Sequence, residues 1–198
     1  DWRELDETPG SGGSCPRASR CPMTLQIRRF RKRDIEPLFA WFETERDVLE
    51  WAGASLSWPL KRREFIEMIK HHRGTDSARE LWAVTYDQDM VAHFQVTYYR
   101  RLNTAGLGRI AVAPWHRGKR LSDPLMDLIL NVAFRRDWIH RVDLLVYAHN
   151  VTAIHAYERA GFVYEGTRRQ TTPIADEIWD TAMMSLLRHE FDKRTERE

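Results

Sequence analysis

Asn150-Val151-Thr152-Ala153-Ile154-His155-Ala156-Tyr157-Glu158-Arg159-Ala160-Gly161-Phe162 decides the fold, because one short helix is written into it from cap to stop. Asn150 has the side-chain oxygen of an N-cap, able to accept an early backbone N–H, and Gly161 stands where a left-handed residue ends a helix. Ala153, Ile154, Tyr157 and Ala160 recur at the spacing of one helical face. Tyr157 therefore points the same way as small residues that admit a close neighbour or a ligand. Periodicity alone leaves two readings open: an ordinary half-buried tyrosine bonded to a carbonyl, or a phenol facing a cleft.

Upstream, the apolar run Leu107-Gly108-Arg109-Ile110-Ala111-Val112-Ala113 meets Pro114 and continues as Trp115-His116-Arg117-Gly118-Lys119-Arg120-Leu121-Ser122. The run around Val112 reads as a buried strand and the stretch Asp123 to Arg136 as a helix, which makes the basic segment between them a strand-to-helix turn. Free backbone N–H groups gather at such a turn, at the positive end of the following helix, and suit a phosphate or diphosphate. Arg117, Lys119 and Arg120 add mobile positive charge. Taken alone, an Arg-Gly-Lys turn is as readily a solvated basic turn.

In this order and at this separation, the two segments resemble the GNAT superfamily of acyl-CoA-dependent N-acyltransferases. The family's later helix reads Asn-x-x-Ala-x-x-x-Tyr-x-x-x-Gly-Phe, which Asn150, Ala153, Tyr157, Gly161 and Phe162 match at every named position. Its phosphate loop reads Arg-Gly-x-Gly-x-Gly after a Val-x-Pro strand end. Val112, Pro114, Arg117 and Gly118 fit, but Arg120 and Ser122 stand where glycines are usual. A Cβ at either position costs most if a positive φ is needed there. The resemblance covers roughly Leu25 to Leu187 and is strongest from Ile110 to Phe162; Glu165-Gly166 and Trp179-Asp180 look like the branch that acetylates ribosomal-protein N-termini or polyamines.

What the resemblance implies is acetyl-CoA as cosubstrate, held by Ile110, Ala111, Val112, Arg117, Gly118, Lys119, Arg120, Leu121, Ser122, Asn150, Ala153 and Tyr157. An amine attacks the thioester, a backbone N–H at or beside Val112 meets the carbonyl oxygen, and Tyr157, the catalytic residue, protonates the sulfur. A phenol of ordinary pKa, about 10, keeps its proton at neutral pH. Relatives place a glutamate on one of two strands where this chain has Gly106 and Leu145. Asp143 and His149 are the substitutes to weigh as proton acceptors. Without a base the acceptor must already be partly neutral, which favours a protein or peptide N-terminal α-amine, of pKa about 7.7–8.0, over a lysine-like amine at about 10.4. Polyamine or aminoglycoside acetylation is the alternative, and a non-catalytic CoA-binding or sensing module of the same fold is the alternative of another class.

Length and composition agree with one such domain. The chain has 198 residues with 42% hydrophobic content, enough for a sizeable core, and a net charge of +2, too small to argue for nucleic acid. The dense basic run Arg28 to Arg33, with Phe30 inside it, reads as a solvated strand end. No apolar run has the length of a membrane span, which points to a cytoplasmic protein. Residues 1–22, rich in Gly, Ser and Pro, are expected to be an extension outside the fold, flexible or appended, with residues 23–198 forming the single domain and Met23 its native start. Cys15 and Cys21 both fall in the extension, so neither a disulfide framework nor a thiolate metal site is indicated. His71-His72 and the pair His149/His155 lack the spacing and carboxylate of a metal site.

The remaining elements read as a strand Thr24–Arg28, a helix Asp34–Phe42 with Pro37 in its first turn, a tryptophan-rich loop Val48–Pro59, and a helix Lys61–His72. The loop folds onto the core or walls the acceptor site. Strands Leu81–Tyr86 and Met90–Tyr99 follow around the turn at Asp87-Gln88-Asp89, then a strand Arg141–Tyr147 and closing strands Phe162–Thr167 and Trp179–Leu187. Strands first and alternating units later mean an α+β fold. The resemblance makes it a GNAT fold, with helices on both faces of a mixed sheet and central strands splayed for the cofactor. If the terminal strand forms an open edge, two copies pair there as a homodimer; the unpaired monomer is equally consistent.

Overall fold

A computed structural model of the chain describes residues 24–71, 79–119, 121–174 and 176–196. The expected extension with its two cysteines, and His72 of the histidine pair, lie outside the described residues. In chain order the elements are β1 (Gln26–Arg29), α1 (Ile35–Phe39), α2 (Glu45–Ala52), α3 (Arg62–His71), β2 (Arg79–Tyr86), β3 (Asp89–Tyr99), β4 (Thr104–Val112), α4 (Ser122–Ala133), β5 (Arg141–Tyr147), α5 (Val151–Arg159), β6 (Val163–Ile174), β7 (Glu177–Leu187) and α6 (Arg188–Thr195).

The strands form one seven-stranded sheet in the order β1-β2-β3-β4-β5-β7-β6. Every neighbouring pair is antiparallel except β4 with β5, which the α4 crossover makes parallel. Alternation along β2 shows why both faces need helices. Leu81 and Ala83 point into a core built with Ile35, Leu38, Val48, Phe65 and Ile69 of α1 to α3, whereas Trp82 and Val84 point into the other core, with Met126, Ile129 and Leu130 of α4. Burial of a side chain such as Phe65 or Phe94, each fully enclosed, contributes about 1.5–3 kcal/mol. One carboxylate ties the sheet to the far end of α4: buried Glu80 takes Arg29 at 2.9 Å and Arg136 at 3.4 Å, together with Arg135.

Two helices depart from the sequence reading. The first residues expected as a tryptophan-rich loop, Val48 to Ala52, form the later part of α2, which Thr44 opens by accepting the Asp47 N–H at 3.2 Å while Asp47 accepts the Thr44 N–H at 2.9 Å. That reciprocal capping box overrides the aromatic and glycine content that suggested a loop. The second is α6, whose charged sequence hides it; Glu190 caps it by accepting the Leu187 N–H at 2.9 Å. A third correction concerns the edge. The terminal strand β7 lies between β5 and β6, because the β6–β7 hairpin inserts it there, and the open edge beside it is β6, with Val163 and Tyr164 exposed.

Candidate active site

The parallel pairing of β4 with β5 runs from Thr104↔Arg141 to Leu107↔Leu144 and stops. Beyond it β4 stays on β3 as far as Val112, and β5 stays on β7 as far as Tyr147. Each strand follows its antiparallel neighbour, so the two part and leave a cleft of about 630 Å³.

A bulge in β4 shapes one wall. His93 faces Ala111 and Gln95 faces Gly108, so β4 spends one extra residue there, and Arg109 takes the left-handed conformation at φ 50°. The Trp51 indole donates to the Arg109 carbonyl at 2.9 Å, pinning α2 against the bulge. Arg109 reaches Gln95 Oε1 at 2.6 Å and Ser55 Oγ at 3.0 Å; burial, with Arg79 nearby, lowers its guanidinium to about 10.

At the end of β4 a single 3-10 turn, Pro114–His116, leads to Gly118 at φ 73°, with nothing within 4 Å of where a Cβ would stand. Leu121, the residue before α4, has helical backbone angles and no side-chain cap, so the first-turn amides of α4 keep their donors. Pro124 in that turn has none. Asp123 sits among these amides, 3.3 Å from Arg159, with Ser122 Oγ at 3.3 Å from each of those two side chains.

The opposite wall is β5 and α5. Asn150 Oδ1 accepts the Ala153 N–H at 3.1 Å, the cap expected from sequence. Gly161 at φ 97° closes the helix, its N–H on the Glu158 carbonyl at 2.9 Å and the Phe162 N–H on the Tyr157 carbonyl at 3.0 Å. Fixed from both ends, α5 turns Tyr157 into the cleft beside Asn150 and Ala153. The ring packs edge-on against Phe162, and among the described residues its hydroxyl has no hydrogen-bond partner. Burial raises the phenol to about 12.

The expected site residues thus divide. Ile110, Asn150, Ala153 and Tyr157 meet in the cleft wall. Ala111 and Leu121 are buried in the cores, so only their main chain can serve a ligand. The Val112 carbonyl accepts Arg117 Nε at 3.2 Å, which folds that side chain back on the strand. Gly118 and Lys119 are exposed on the turn, Ser122 faces Asp123 and Arg159, and Arg120 lies outside the described residues. Of the proton acceptors, Asp143 lines the cleft but is held by Arg141 at 2.7 Å, and the same guanidinium binds Glu165 at 2.6 Å. Of the two tryptophans for which the sequence allows both core and cleft-wall readings, Trp51 lines the cleft, whereas Trp58 is exposed and outside it.

At the mouth stands a group the sequence reading passed over. Glu50 of α2 lines the cleft, with His149 Nε2 at 3.4 Å from its carboxylate and Arg46 Nε at 3.7 Å. The His149 ring lies parallel to Tyr147 at 5.7 Å and edge-on to Trp179 at 4.5 Å. Arg46 rests 4.7 Å over Trp179 and reaches Glu177 at 3.4 Å. The Trp179 indole N–H, 2.6 Å away, and Arg46 hold the Glu177 carboxyl below its usual range. The Thr44-x-x-Asp47 box sets α2 and puts Arg46 and Glu50 one turn apart on it, but nothing in that spacing says where the helix docks.

The model of the Acetyltransferase (GNAT) family matches residues 27–162. The chain belongs to this family. It is an acetyl-CoA-dependent N-acetyltransferase with the mixed sheet and two-faced helices of GNAT enzymes. Over 133 residues it is 24% identical to the spermidine N(1)-acetyltransferase of Vibrio cholerae, covering 67% of this chain and 77% of that one. Among solved structures, the spermidine N-acetyltransferase of Vibrio cholerae in complex with CoA and spermine superposes with a TM-score of 0.73 at 23% identity, covering 84% of this GNAT chain and 97% of the other. A dodecameric structure of that enzyme gives 0.69 at 22% identity, covering 86% and 98%. Among the described residues no helix is long and apolar enough to cross a membrane, and no group of three or more His, Cys, Asp or Glu is placed to hold a metal.

Proposed function

We propose that this GNAT chain acetylates a primary amine of an aliphatic polyamine inside a ternary complex with acetyl-CoA. The observation that carries the acceptor class is Arg46, a cation already resting on the Trp179 face beside Glu177. A surface that seats a guanidinium there suits the distal ammonium of a polyamine, since cation–π attraction and the Glu177 carboxylate act on either charge. The spermidine N(1)-acetyltransferase activity of the Vibrio cholerae relative supports the same class over the peptide α-amine that the missing strand glutamate favoured.

In this reading the diphosphate rests on the main-chain amides after Pro114 and at the start of α4, where Gly118 leaves room and Lys119 adds charge. The pantetheine arm occupies the gap between β4 and β5, within reach of the Asn150 side-chain amide, whose oxygen is committed to the cap. The amine nitrogen bonds to the thioester carbon as the carbon–sulfur bond breaks, and an N–H of the bulged segment Ile110–Val112 stabilises the oxyanion. Tyr157 donates to the sulfur as charge develops. With its phenol near 12 and an ordinary thiol near 8.5, complete transfer from Tyr157 is uphill, so the hydrogen bond to the departing sulfur is its main contribution.

The test is thiol release from acetyl-CoA with spermidine, an alanine-initiated peptide and an aminoglycoside side by side. The polyamine is expected to give the highest kcat/KM, by about tenfold or more, equivalent to 1.4 kcal/mol of preferential transition-state binding. A peptide that outpaces it overturns the acceptor class. Absence of any melting-temperature rise with millimolar acetyl-CoA overturns the cofactor site itself.

A further inference from the structure

The cleft holds one carboxylate that no strong ion pair consumes, and its placement follows from the bulge. Trp51 hooks the Arg109 carbonyl, so its chain neighbour Glu50 is delivered to the same cleft from the α2 side. Asp143, the other carboxylate of the lining, is committed to Arg141. Among the described residues Glu50 has only the long Arg46 contact of 3.7 Å and His149 at 3.4 Å. The His149 ring is fixed by Tyr147 and Trp179, and its side chain is 40% exposed, so it connects Glu50 to solvent.

We infer that Glu50 is the proton acceptor for the incoming amine and that His149 positions it and carries the proton out. The inference rests on the acetyl-transfer reading above. An alkylammonium with a pKa of about 10.4 is almost wholly protonated at neutral pH and has no lone pair for the thioester. Glu50 takes one N–H proton and the freed nitrogen forms the C–N bond; as the C–S bond breaks, the second N–H proton, made acidic on the now cationic nitrogen, passes to the sulfur hydrogen-bonded by Tyr157, which leaves as thiol. One proton per turnover reaches solvent through His149. The groups facing Glu50 are Arg46 and His149, Glu177 lies beyond Arg46, and Arg109 in the same cleft disfavours an ammonium left beside it. The missing strand glutamate is thus replaced from a helix.

Glu50→Gln and His149→Gln are compared with the wild-type protein using spermidine and alanine amide at pH 8, with calorimetric binding of each amine to the CoA-loaded protein as a readout free of turnover. Glu50→Gln is expected to lower kcat for spermidine about a hundredfold, the scale of a general base, with KM and Kd within about twofold. For alanine amide, about half or more neutral at that pH, the loss shrinks to about tenfold or less. His149→Gln shows the same preference with a smaller loss. Wild-type spermidine turnover is expected to level off toward alkaline pH, whereas that of Glu50→Gln climbs about tenfold per pH unit toward the amine's own pKa. Unchanged kcat with raised KM and Kd makes Glu50 an ammonium anchor and overturns the inference, as does an equal loss for both amines. Wild-type protein that releases no thiol with any amine overturns the acetyl-transfer reading itself, a result separate from full activity in Glu50→Gln.

Discussion

The Trp51 indole nitrogen lies 2.9 Å from the Arg109 carbonyl and donates to it, joining α2 to the one left-handed residue of β4. Trp51 also stacks between Phe42 at 4.3 Å and Phe65 at 5.9 Å, so the bond is embedded in the aromatic core of that face. Trp51→Phe keeps the stacking and removes the donor. A part-buried carbonyl left unpaired costs about 1–3 kcal/mol, and lost ring volume adds to it. The expected outcome is a lower urea midpoint with a weaker thermal shift on adding acetyl-CoA, because the bulge that lines the cleft loosens. An unchanged cofactor shift dissociates the bulge from binding.

Tyr157→Phe removes the hydroxyl proposed to face the sulfur while keeping the ring on Phe162. The expected result is a fall in kcat of about tenfold to a hundredfold, with acetyl-CoA affinity unchanged, because the hydrogen bond strengthens only as the thiolate forms. Burial holds this phenol near 12, so ionisation of Tyr157 leaves kcat intact up to about pH 11. A descending alkaline limb near pH 9 in the wild type that disappears in Tyr157→Phe contradicts the placement.

Local signals carried most of the fold. The Asn150 cap, the Gly161 stop and the face containing Tyr157 all act within four residues, and the structure keeps each of them. Arg141 and Asp143, two apart on a strand, share a face, so their pairing too was readable. What stayed hidden depends on distant contacts. Arg109 is not a residue that announces a bulge, and its conformation is held by Trp51, 58 residues earlier. Glu50 becomes part of the site only because that bond docks α2. Insertion of β7 between β5 and β6 is a choice of pairing partner, on which the hydrophobic pattern of either strand is silent.

Arg46 occupies the Trp179 face that the proposed distal ammonium needs. Exposed cation–π contacts are worth about 0.5–1 kcal/mol, so displacing Arg46 raises KM by a factor of about two to five. Arg46→Met is expected to lower KM for spermidine by that factor and to leave KM for a short monoamine unchanged. A rise in KM for spermidine makes Arg46 a binding group and contradicts the competition.

His93 is the buried group most exposed to acid. It lies on β3 under the bulge, fully enclosed between Phe30 at 4.8 Å and Trp51 at 5.9 Å, and burial lowers it from 6.5 to about 3. The unfolded chain binds this proton near pH 6.5 and the folded chain only near 3, so between those values unfolding takes up a proton. Its contribution is complete above pH 6.5 and disappears as pH falls toward 3, with a slope of up to about 1.4 kcal/mol per pH unit. His93→Leu, of similar volume, removes that titration. Urea unfolding of both proteins from pH 7.5 to 4 is expected to give a shallower acid slope for His93→Leu, so that the wild type loses stability relative to the variant as the pH falls. Parallel curves mean that His93 is already protonated in the folded state or that the fold opens around it before it titrates.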